Sequence, residues 1–112
     1  MKIAIPLVNG VLSSHFGHCE RFAIITADPA SKNILSKEET IPPLHKPGLY
    51  PSWLAKRGVT HVIAGGMGES ALNLFVQNQI EVVAGAPGEA PEKIVKLFLK
   101  KMLVTGKNTC DH

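Results

Sequence analysis

The chain has 112 residues, of which 45% are hydrophobic, and this length and composition predict one domain with a single packed core. It contains no run of about 18 apolar residues, and its start, MKIAIPLVNG, turns polar too early for a secretory signal. We therefore expect a cytoplasmic protein with no membrane association. The formal net charge is +3, and much of the excess lies on lysines of residues 91–107. These lysines fit the wet face of an amphipathic helix, so we expect no nucleic-acid partner.

The first half of the chain predicts three strands. Residues 2–8, KIAIPLV, form a short apolar run that ends at an Asn-Gly pair, which is typical of a buried strand. Residues 21–28 and 33–40 are two further β-rich runs, joined by a short connection that begins at an Asp-Pro pair. We expect these two runs to pair as antiparallel neighbours. Residues 41–48, IPPLHKPG, contain three prolines and predict an irregular loop.

The second half alternates helices with strands. The predicted elements are a helix over 50–58, a strand over 59–66, a helix over 68–79, a strand over 80–85 and a helix over 90–106. Such alternation predicts parallel strands joined by right-handed crossovers, with helices on both faces of the sheet. We therefore predict a three-layer α/β/α fold whose five-stranded mixed sheet has the order 3-2-1-4-5, with strand 2 antiparallel. Residues 1–105 form this single domain, and residues 106–112 form a flexible C-terminal tail.

Four loops should meet at one edge of this sheet, because strands 1, 3, 4 and 5 point the same way. We call them the first, second, third and fourth loops, over residues 9–20, 41–48, 65–70 and 85–91. The first and third loops flank the point where the strand order reverses. Open α/β sheets bind their ligands at that point, so we expect the binding site there.

The third loop carries Gly65, Gly66 and Gly68 directly before a helix. Glycines let the backbone approach a ligand, and the unpaired N–H groups of a helix N-terminus favour an anion such as phosphate or an anionic metal–sulfur cluster. The stretch GMGESA also matches the dinucleotide pattern G-x-G-x-x-[GA], but the next strand ends in Ala-Gly, with no acidic residue to hold a ribose. A tight strand-to-helix turn with no ligand is the structural alternative.

The first loop contains two histidines and a cysteine, His15, His18 and Cys19. On a helical turn both imidazoles would face one ligand beside the thiol, and these donors suit zinc, copper(I) or iron in sulfur clusters. His45 lies between two prolines of the second loop, at the same predicted edge. The alternative is that the histidines are ordinary loop residues and that Cys19 is a small buried hydrophobe. His61 begins a strand, and we expect it to pack against neighbours or to lie on the surface.

The C-terminal tail carries a further thiol and imidazole, Cys110 and His112. The last predicted helix runs away from the ligand edge. A tail of about eight residues at about 3.3 Å each barely returns along a helix of about 14 residues that rises 1.5 Å per residue. Either the tail is just long enough for this pair to close over a bound cluster, or the pair contributes to the site of a neighbouring subunit.

The sequence shows no arrangement typical of a catalytic site. The first strand has no carboxylate for a two-metal centre, and no Ser-His-acid or Cys-His-acid set has a recognisable nucleophile motif. We therefore expect a binding protein and not an enzyme.

Four ordered motifs suggest a family: HFGHCERF, then PPLHKPG with YPSWLAKRGV, then VIAGGMGESALNLF with IEVVAG, and the terminal NTCDH. Together they resemble the dinitrogenase iron-molybdenum cofactor biosynthesis family over nearly the whole chain. The resemblance implies a ribonuclease H-like fold without nuclease activity and a role in binding or delivering an iron-molybdenum or related metal–sulfur cluster. Small stand-alone members such as the orange protein, which holds a molybdenum–copper sulfide cluster, are similar. The resemblance implies His15, His18, Cys19 and His45 as metal ligands, Gly66, Met67 and Gly68 as a cofactor cradle, and Cys110 and His112 as additional candidates.

Three functions are compatible with these features. The first, which we expect, is a non-enzymatic carrier for a metal–sulfur cluster that meets donor and acceptor proteins as a monomer or weak homo-oligomer. The second is a small adaptor or regulatory domain that binds a protein partner. The third is an anion or nucleotide binder that uses the loop from Gly66 to Gly68.

Overall fold

The computed structural model describes residues 1–14, 16, 19–43 and 49–106. The strands and helices of these residues are, in chain order, β1 (Lys2–Val8), β2 (Val11–Leu12), β3 (Arg21–Asp28), β4 (Asn33–Thr40), α1 (Leu49–Lys56), β5 (His61–Ile63), α2 (Glu69–Gln77), β6 (Glu81–Val83) and α3 (Pro91–Leu99). They form an α/β fold with a mixed sheet and three helices. Five of the predicted site residues lie outside the described residues: His15, His18, His45, Cys110 and His112.

The sheet follows the path β4-β3-β1-β5-β6, which is the predicted order 3-2-1-4-5 when only the five predicted strands are counted. β3 is antiparallel to β1 and β4, and β5 and β6 run parallel to β1. The structure differs from the prediction by a sixth strand, β2, which lies off this path and pairs antiparallel with the end of β1. Two residues are too few to show a period-two pattern, so the sequence did not reveal this strand.

The helices cover both faces of the sheet, as a three-layer arrangement requires. On one face α3 packs on the sheet, with a core that includes Ile3, Ile5, Ile25, Ile94 and Val95. On the other face α1 and α2 pack on the sheet, with a core that includes Ala4, Phe22, Ile24, Leu54 and Phe75. Successive residues of β1 thus enter opposite cores, which explains why every residue of this strand after Lys2 is apolar.

The last helix is shorter than predicted, ending at Leu99 and not at residue 106. Lys101 adopts a left-handed backbone conformation with φ of 59°, and the Met102 N–H donates to the Leu97 carbonyl oxygen over 2.8 Å. This six-to-one bond is the Schellman pattern that ends a helix. The chain then turns back after a helix that is shorter than the length of about 14 residues assumed for the tail. The prediction for the tail itself falls on residues 107–112, outside the described residues.

The described lysines of α3 and its C-terminal turn are exposed, as predicted: Lys93, Lys96, Lys100 and Lys101. Ile94, Val95 and Leu99 form the opposite, buried face of the helix. Among the described residues, no helix has both the length and the apolar character needed to cross a bilayer.

Candidate functional site

The crevice at the strand-order reversal opens between β1 and β5. These two strands pair only at Ile3 with His61 and at Ala4 with Val62. Two positions further along β1 lies Pro6, which has no backbone N–H to donate. The parallel pairing ends before this residue, and the two strands are free to diverge towards the carboxyl edge.

Strand β2 occupies this crevice. Leu12 pairs with Leu7 of β1, and the next backbone N–H, that of Ser13, donates to the Pro6 carbonyl oxygen over 2.8 Å. A Cβ on Gly65 would lie 2.8 Å from the Ser13 carbonyl oxygen and 2.9 Å from the Ser14 Cα, so the third loop can contact the first this closely only because Gly65 has no side chain. Residues 12–14 of the first loop therefore pack into the crevice, against β1 on one side and the third loop on the other.

Phe16 anchors the middle of the first loop. Its backbone N–H donates to the Gly66 carbonyl oxygen over 3.1 Å, and its side chain is buried with 6% of its surface exposed. The ring centroid lies 5.3 Å from Phe75, 5.7 Å from Phe22 and 5.8 Å from Tyr50, with edge or tilted geometry. The sequence analysis gave Phe16 no role. Its position between two candidate histidine ligands was the feature of the sequence that could have indicated one.

Tyr50 links this aromatic cluster to the second loop. Its hydroxyl donates to the Pro43 carbonyl oxygen over 3.3 Å, and its ring lies 5.8 Å from Phe16. Burial raises the pKa of the Tyr50 hydroxyl, and the negative charge of a Cys19 thiolate raises it further. The sequence analysis missed Tyr50 because it assigned this residue only to a helix.

Cys19 is the candidate metal ligand with a soft donor atom among the described residues. The side chain is half-buried and packs against the core shared with α1 and α2. Burial raises the pKa of the Cys19 thiol to about 11, although a hydrogen bond from its own backbone acts to lower it. The thiol is thus protonated at neutral pH, and metal coordination would release its proton.

The third loop presents backbone donors rather than side chains. α2 begins after Gly68, the N-cap residue, which has no side chain to accept a hydrogen bond from the first-turn N–H groups of the helix. These donors lie at the positive end of the helix and suit an anion. Gly66 is buried beneath the first loop, and Met67 is only 1% exposed within the core, so the exposed part of the predicted cradle begins at Gly68.

The fourth loop joins the same edge through two backbone hydrogen bonds. The Leu12 N–H donates to the Glu89 carbonyl oxygen over 3.0 Å, and the Gly85 N–H donates to the Gly65 carbonyl oxygen over 2.7 Å. Together with the Phe16 and Tyr50 contacts, these bonds bring the four loops to one edge. The predicted convergence is therefore present in the described residues.

His61 lies at the other end of β5, away from this edge. Its Nε2 lies 3.1 Å from the Glu81 carboxylate, its Nδ1 lies 2.7 Å from the Thr60 hydroxyl, and its ring packs 5.8 Å from Phe98. The prediction that His61 packs against its neighbours is confirmed.

Metal-binding side chains do not cluster within the part of the chain that the structure describes, where no three His, Cys, Asp or Glu residues converge. The described part of the loop edge instead offers one soft thiol and a set of backbone donors. Such an edge can hold an anionic group that also carries a thiophilic metal.

Comparison with known proteins assigns the family. The model of the family "dinitrogenase iron-molybdenum cofactor" matches residues 1–101. The chain belongs to this family. The chain is also similar in sequence to the uncharacterized protein MJ0580 of Methanocaldococcus jannaschii. The two are 32% identical over 109 residues, and this alignment covers 92% of this chain and 89% of the relative.

Two solved structures have the same fold as this family member. The crystal structure of PH0822 superposes with a TM-score of 0.87 at 24% identity, covering 96% of each chain. The apo form of the orange protein from Desulfovibrio gigas superposes with a TM-score of 0.72 at 21% identity, covering 96% of this chain and 93% of that one. These likenesses confirm the family's α/β fold in this chain.

Proposed function

We propose that this chain is a non-enzymatic protein that binds and carries an iron-molybdenum or related metal–sulfur cluster. The observation that carries the proposal is the bond from the Phe16 N–H to the Gly66 carbonyl oxygen, 3.1 Å long. It holds Phe16 of the first loop, which also contains Cys19, against the loop that leads into the N-terminus of α2. Membership of the iron-molybdenum cofactor family supports the choice of cargo.

The donor set fits an anionic cluster better than a bare cation. Backbone N–H groups at the start of α2 would donate to sulfides, and the positive end of the helix would repel a cation that has no anionic ligands. The Cys19 thiolate would bind an exposed metal atom, joined by the imidazoles of His15, His18 and His45. Soft and imidazole ligands with backbone donors are what a thiophilic cluster needs.

The wider setting is part of the same proposal. A carrier of this kind works in the cytoplasm, receives its cluster from a donor protein and passes it to an acceptor, and does so as a monomer or weak homo-oligomer. It uses neither nucleic acid nor membrane as a partner. We assign it to the ribonuclease H-like group of α/β/α folds by its resemblance to the family.

The first experiment is metal and sulfide analysis, with an absorption spectrum, of protein purified without oxygen from its native cells. We expect molybdenum or iron with stoichiometric sulfide. Protein purified without metal is then offered tetrathiomolybdate with copper(I), or iron with sulfide. When the free cluster concentration is one hundred times the Kd, binding should raise the free energy of unfolding by about 2.7 kcal/mol.

Two variants localise the uptake. Cys19→Ser removes the soft ligand and should weaken uptake, whereas His61→Gln removes an imidazole at the far end of β5 and should not. Protein that contains no metal and takes up neither cluster would contradict the carrier function.

An anion or nucleotide binder is the second candidate, and the N-terminus of α2, whose N-cap residue Gly68 has no side chain, favours it. In that case inorganic phosphate or a nucleotide binds saturably, and binding survives the combined loss of His15, His18 and Cys19. Absence of both cluster and anion binding would leave the adaptor function, which predicts no metal-dependent change in thermal stability.

A further inference from the structure

Strand β6 is one of the two edges of the sheet, because within the described residues it pairs with β5 only. The Glu81 N–H donates to the Thr60 carbonyl oxygen over 3.0 Å. Two residues further on, the Val83 carbonyl oxygen accepts a hydrogen bond from the Ala64 N–H over 2.8 Å. Since alternate residues of a strand direct their backbone groups to opposite sides, the N–H and carbonyl oxygen of Val82 point away from β5, towards the open edge.

The opposite edge strand, β4, carries features that discourage the addition of another strand. Its residues Lys37, Glu38 and Glu39 are exposed, and its pairing with β3 shifts register between Thr26 and Ala27. Exposed charges and irregular pairing keep edge strands of natural sheets from pairing with other chains. β6 has the sequence EVV, with one charged residue, and its register with β5 is uninterrupted. The two edges therefore differ, and β6 is the one that a partner can extend.

An apolar groove runs beside this edge, on the face of the sheet that α2 covers. It has a volume of about 550 Å³ and is lined by residues of α2, of β6 and of the turn between them: Leu72, Val76, Gln79, Ile80, Glu81 and Val82. Leu72 and Val76 are four residues apart on one side of α2, and Val76 is 69% exposed. A strand of three residues offers a partner few backbone groups, so the groove would supply most of the contact that a bound segment needs.

The chain that follows α3 leaves this groove open. Its Gly106 N–H donates to the Gly85 carbonyl oxygen over 2.7 Å, two residues past the end of β6. Leu103 packs against the core on the α3 face, whereas the groove lies on the α2 face. The described part of this returning segment therefore contacts the sheet on the face opposite to the groove and beyond the strand.

The part of the chain that forms this end of the sheet is acidic, although the whole protein has a net charge of +3. Residues 58–92 contain no lysine or arginine and four carboxylates, those of Glu69, Glu81, Glu89 and Glu92. The Glu81 side chain is 80% exposed, and it lies on the α3 face, where its carboxylate meets His61. Val82, the next residue, packs against the core on the α2 face. A strand added here would thus direct alternate side chains to the groove and to the side of Glu81.

We propose that the β6 edge and the groove beside it bind an extended segment of a partner protein in which apolar residues alternate with lysine or arginine. The segment adds to the sheet beside β6, and its backbone bonds to that of Val82. Its apolar side chains enter the groove between α2 and β6, and its cationic side chains lie on the side of Glu81. The fourth loop begins just after β6, so the partner is held next to the edge where the four loops meet.

The composition of the partner segment is tested with synthetic peptides and metal-free protein. The probe is a fluorescently labelled peptide of seven residues in which lysine and valine alternate, and its binding is followed by fluorescence anisotropy. We expect saturable binding, and its absence would overturn the proposal. A peptide with glutamate in place of lysine should bind at least about tenfold more weakly, as should one in which four lysines precede three valines. Equal binding of the first would overturn the basic character of the partner, and equal binding of the second would overturn the alternating, extended segment.

Pairing with the backbone is tested by methylating nitrogen atoms of the peptide. One peptide is methylated at its valine N–H groups and a second at its lysine N–H groups, so that each loses the donors of one edge. Only one edge faces β6, so the two affinities should differ by at least about fivefold. Equal affinities would overturn the addition of a strand.

The groove is tested by Val76→Lys, which places a cation in the apolar lining and should weaken peptide binding at least about tenfold. Val76 is exposed and lysine is a good helix former, so the variant should fold. Leu35→Lys is the matched control, because Leu35 is 65% exposed on β4, and its affinity should stay within about twofold of wild type. Equal affinities of the two variants would overturn the role of the groove.

A second copy of this chain is the competing occupant of the edge. Light scattering measures the mass of wild-type protein and of Val76→Lys across a range of concentrations. We expect both to have the same mass. A wild-type dimer that Val76→Lys dissociates would overturn the assignment of the groove to a basic partner segment. Because no cluster enters any of these measurements, failure of the proposal would leave the carrier function standing.

Discussion

The Phe16 N–H donates to the Gly66 carbonyl oxygen over 3.1 Å, and the Phe16 ring contacts three other aromatic rings beneath the same loops. One residue therefore joins the first loop to the third loop through its backbone and to the core through its side chain. The placement of Phe16 at this edge depends on both attachments.

Phe16→Ala should lower the free energy of unfolding by about 3 kcal/mol, because the buried ring leaves a cavity among its neighbours. It should also weaken cluster uptake, since the first loop loses its anchor. Urea unfolding and copper–tetrathiomolybdate uptake measure the two effects. Phe16→Leu retains most of the volume and should cost less than about 1.5 kcal/mol.

Phe98→Ala is the control for this prediction, because Phe98 packs on the α3 face beside His61. It should destabilise the protein without changing the uptake measured under folded conditions. Equal loss of uptake in both variants would show that stability alone, and not the loop anchor, determines binding.

Gly65→Ala should displace the first loop from the third. The new Cβ would lie under 3.0 Å from two main-chain atoms of residues 13 and 14, which cannot move as a flexible side chain can. We expect a destabilisation of about 1–3 kcal/mol and reduced cluster uptake. Gly88→Ala is the matched control, since its Cβ would lie 3.4 Å from the Leu12 carbonyl oxygen. Unfolding curves that coincide for the two variants would contradict the predicted clash.

The Cys19 thiol should react slowly with iodoacetamide in the folded protein. With a pKa of about 11, only about one thiol in a thousand is ionised at pH 8. The same thiol in the urea-unfolded chain has a pKa near 8.5, so its alkylation should be at least about 100-fold faster. The folded rate should rise about tenfold per pH unit from pH 7 to 10, followed by mass spectrometry of the Cys19 peptide. A plateau near pH 8.5 in the folded protein would show that burial does not shift this group.

His61→Gln should leave cluster uptake unchanged, because His61 contacts Thr60, Glu81 and Phe98 at the far end of β5. We expect a loss of at most about 1 kcal/mol in the free energy of unfolding, since the carboxylate partner is 80% exposed and such pairs contribute little. Thermal unfolding and the uptake assay check both parts. Reduced cluster uptake with an unchanged free energy of unfolding would contradict this prediction and would indicate that His61 is part of the binding site.

The sequence predicted the path and directions of the five main strands because each signal was local. KIAIPLV is apolar on both faces, which only a central strand needs, and its two faces enter the two cores. The Asp28 carboxylate accepts bonds from the Ala30 N–H and the Ser31 hydroxyl, as expected of a turn residue in the β3–β4 hairpin. The convergence of the loops followed from strand direction alone.

The sequence did not predict the contacts within that edge. β2 has two residues and no periodic pattern, and it exists because Pro6 ends the β1–β5 pairing and leaves room beside β1. Nothing in the local sequence distinguishes Phe16 and Tyr50 from other aromatic residues. The fold places their ring centroids 5.8 Å apart. Met67 is a candidate cradle residue in the sequence and a core side chain in the structure.

The sequence by itself determined the fold class, the order of the strands, the edge at which four loops meet and the family, since these depend on short-range pattern and on motifs. Only the tertiary structure decided that α3 stops at Leu99 and that Gly106 returns to Gly85. Lys101 is a lysine in a left-handed conformation, which local preference disfavours, and Leu103 packs against the core directly after this turn. Contacts between distant segments compete with local preference, and their outcome depends on a core that no single stretch of sequence contains.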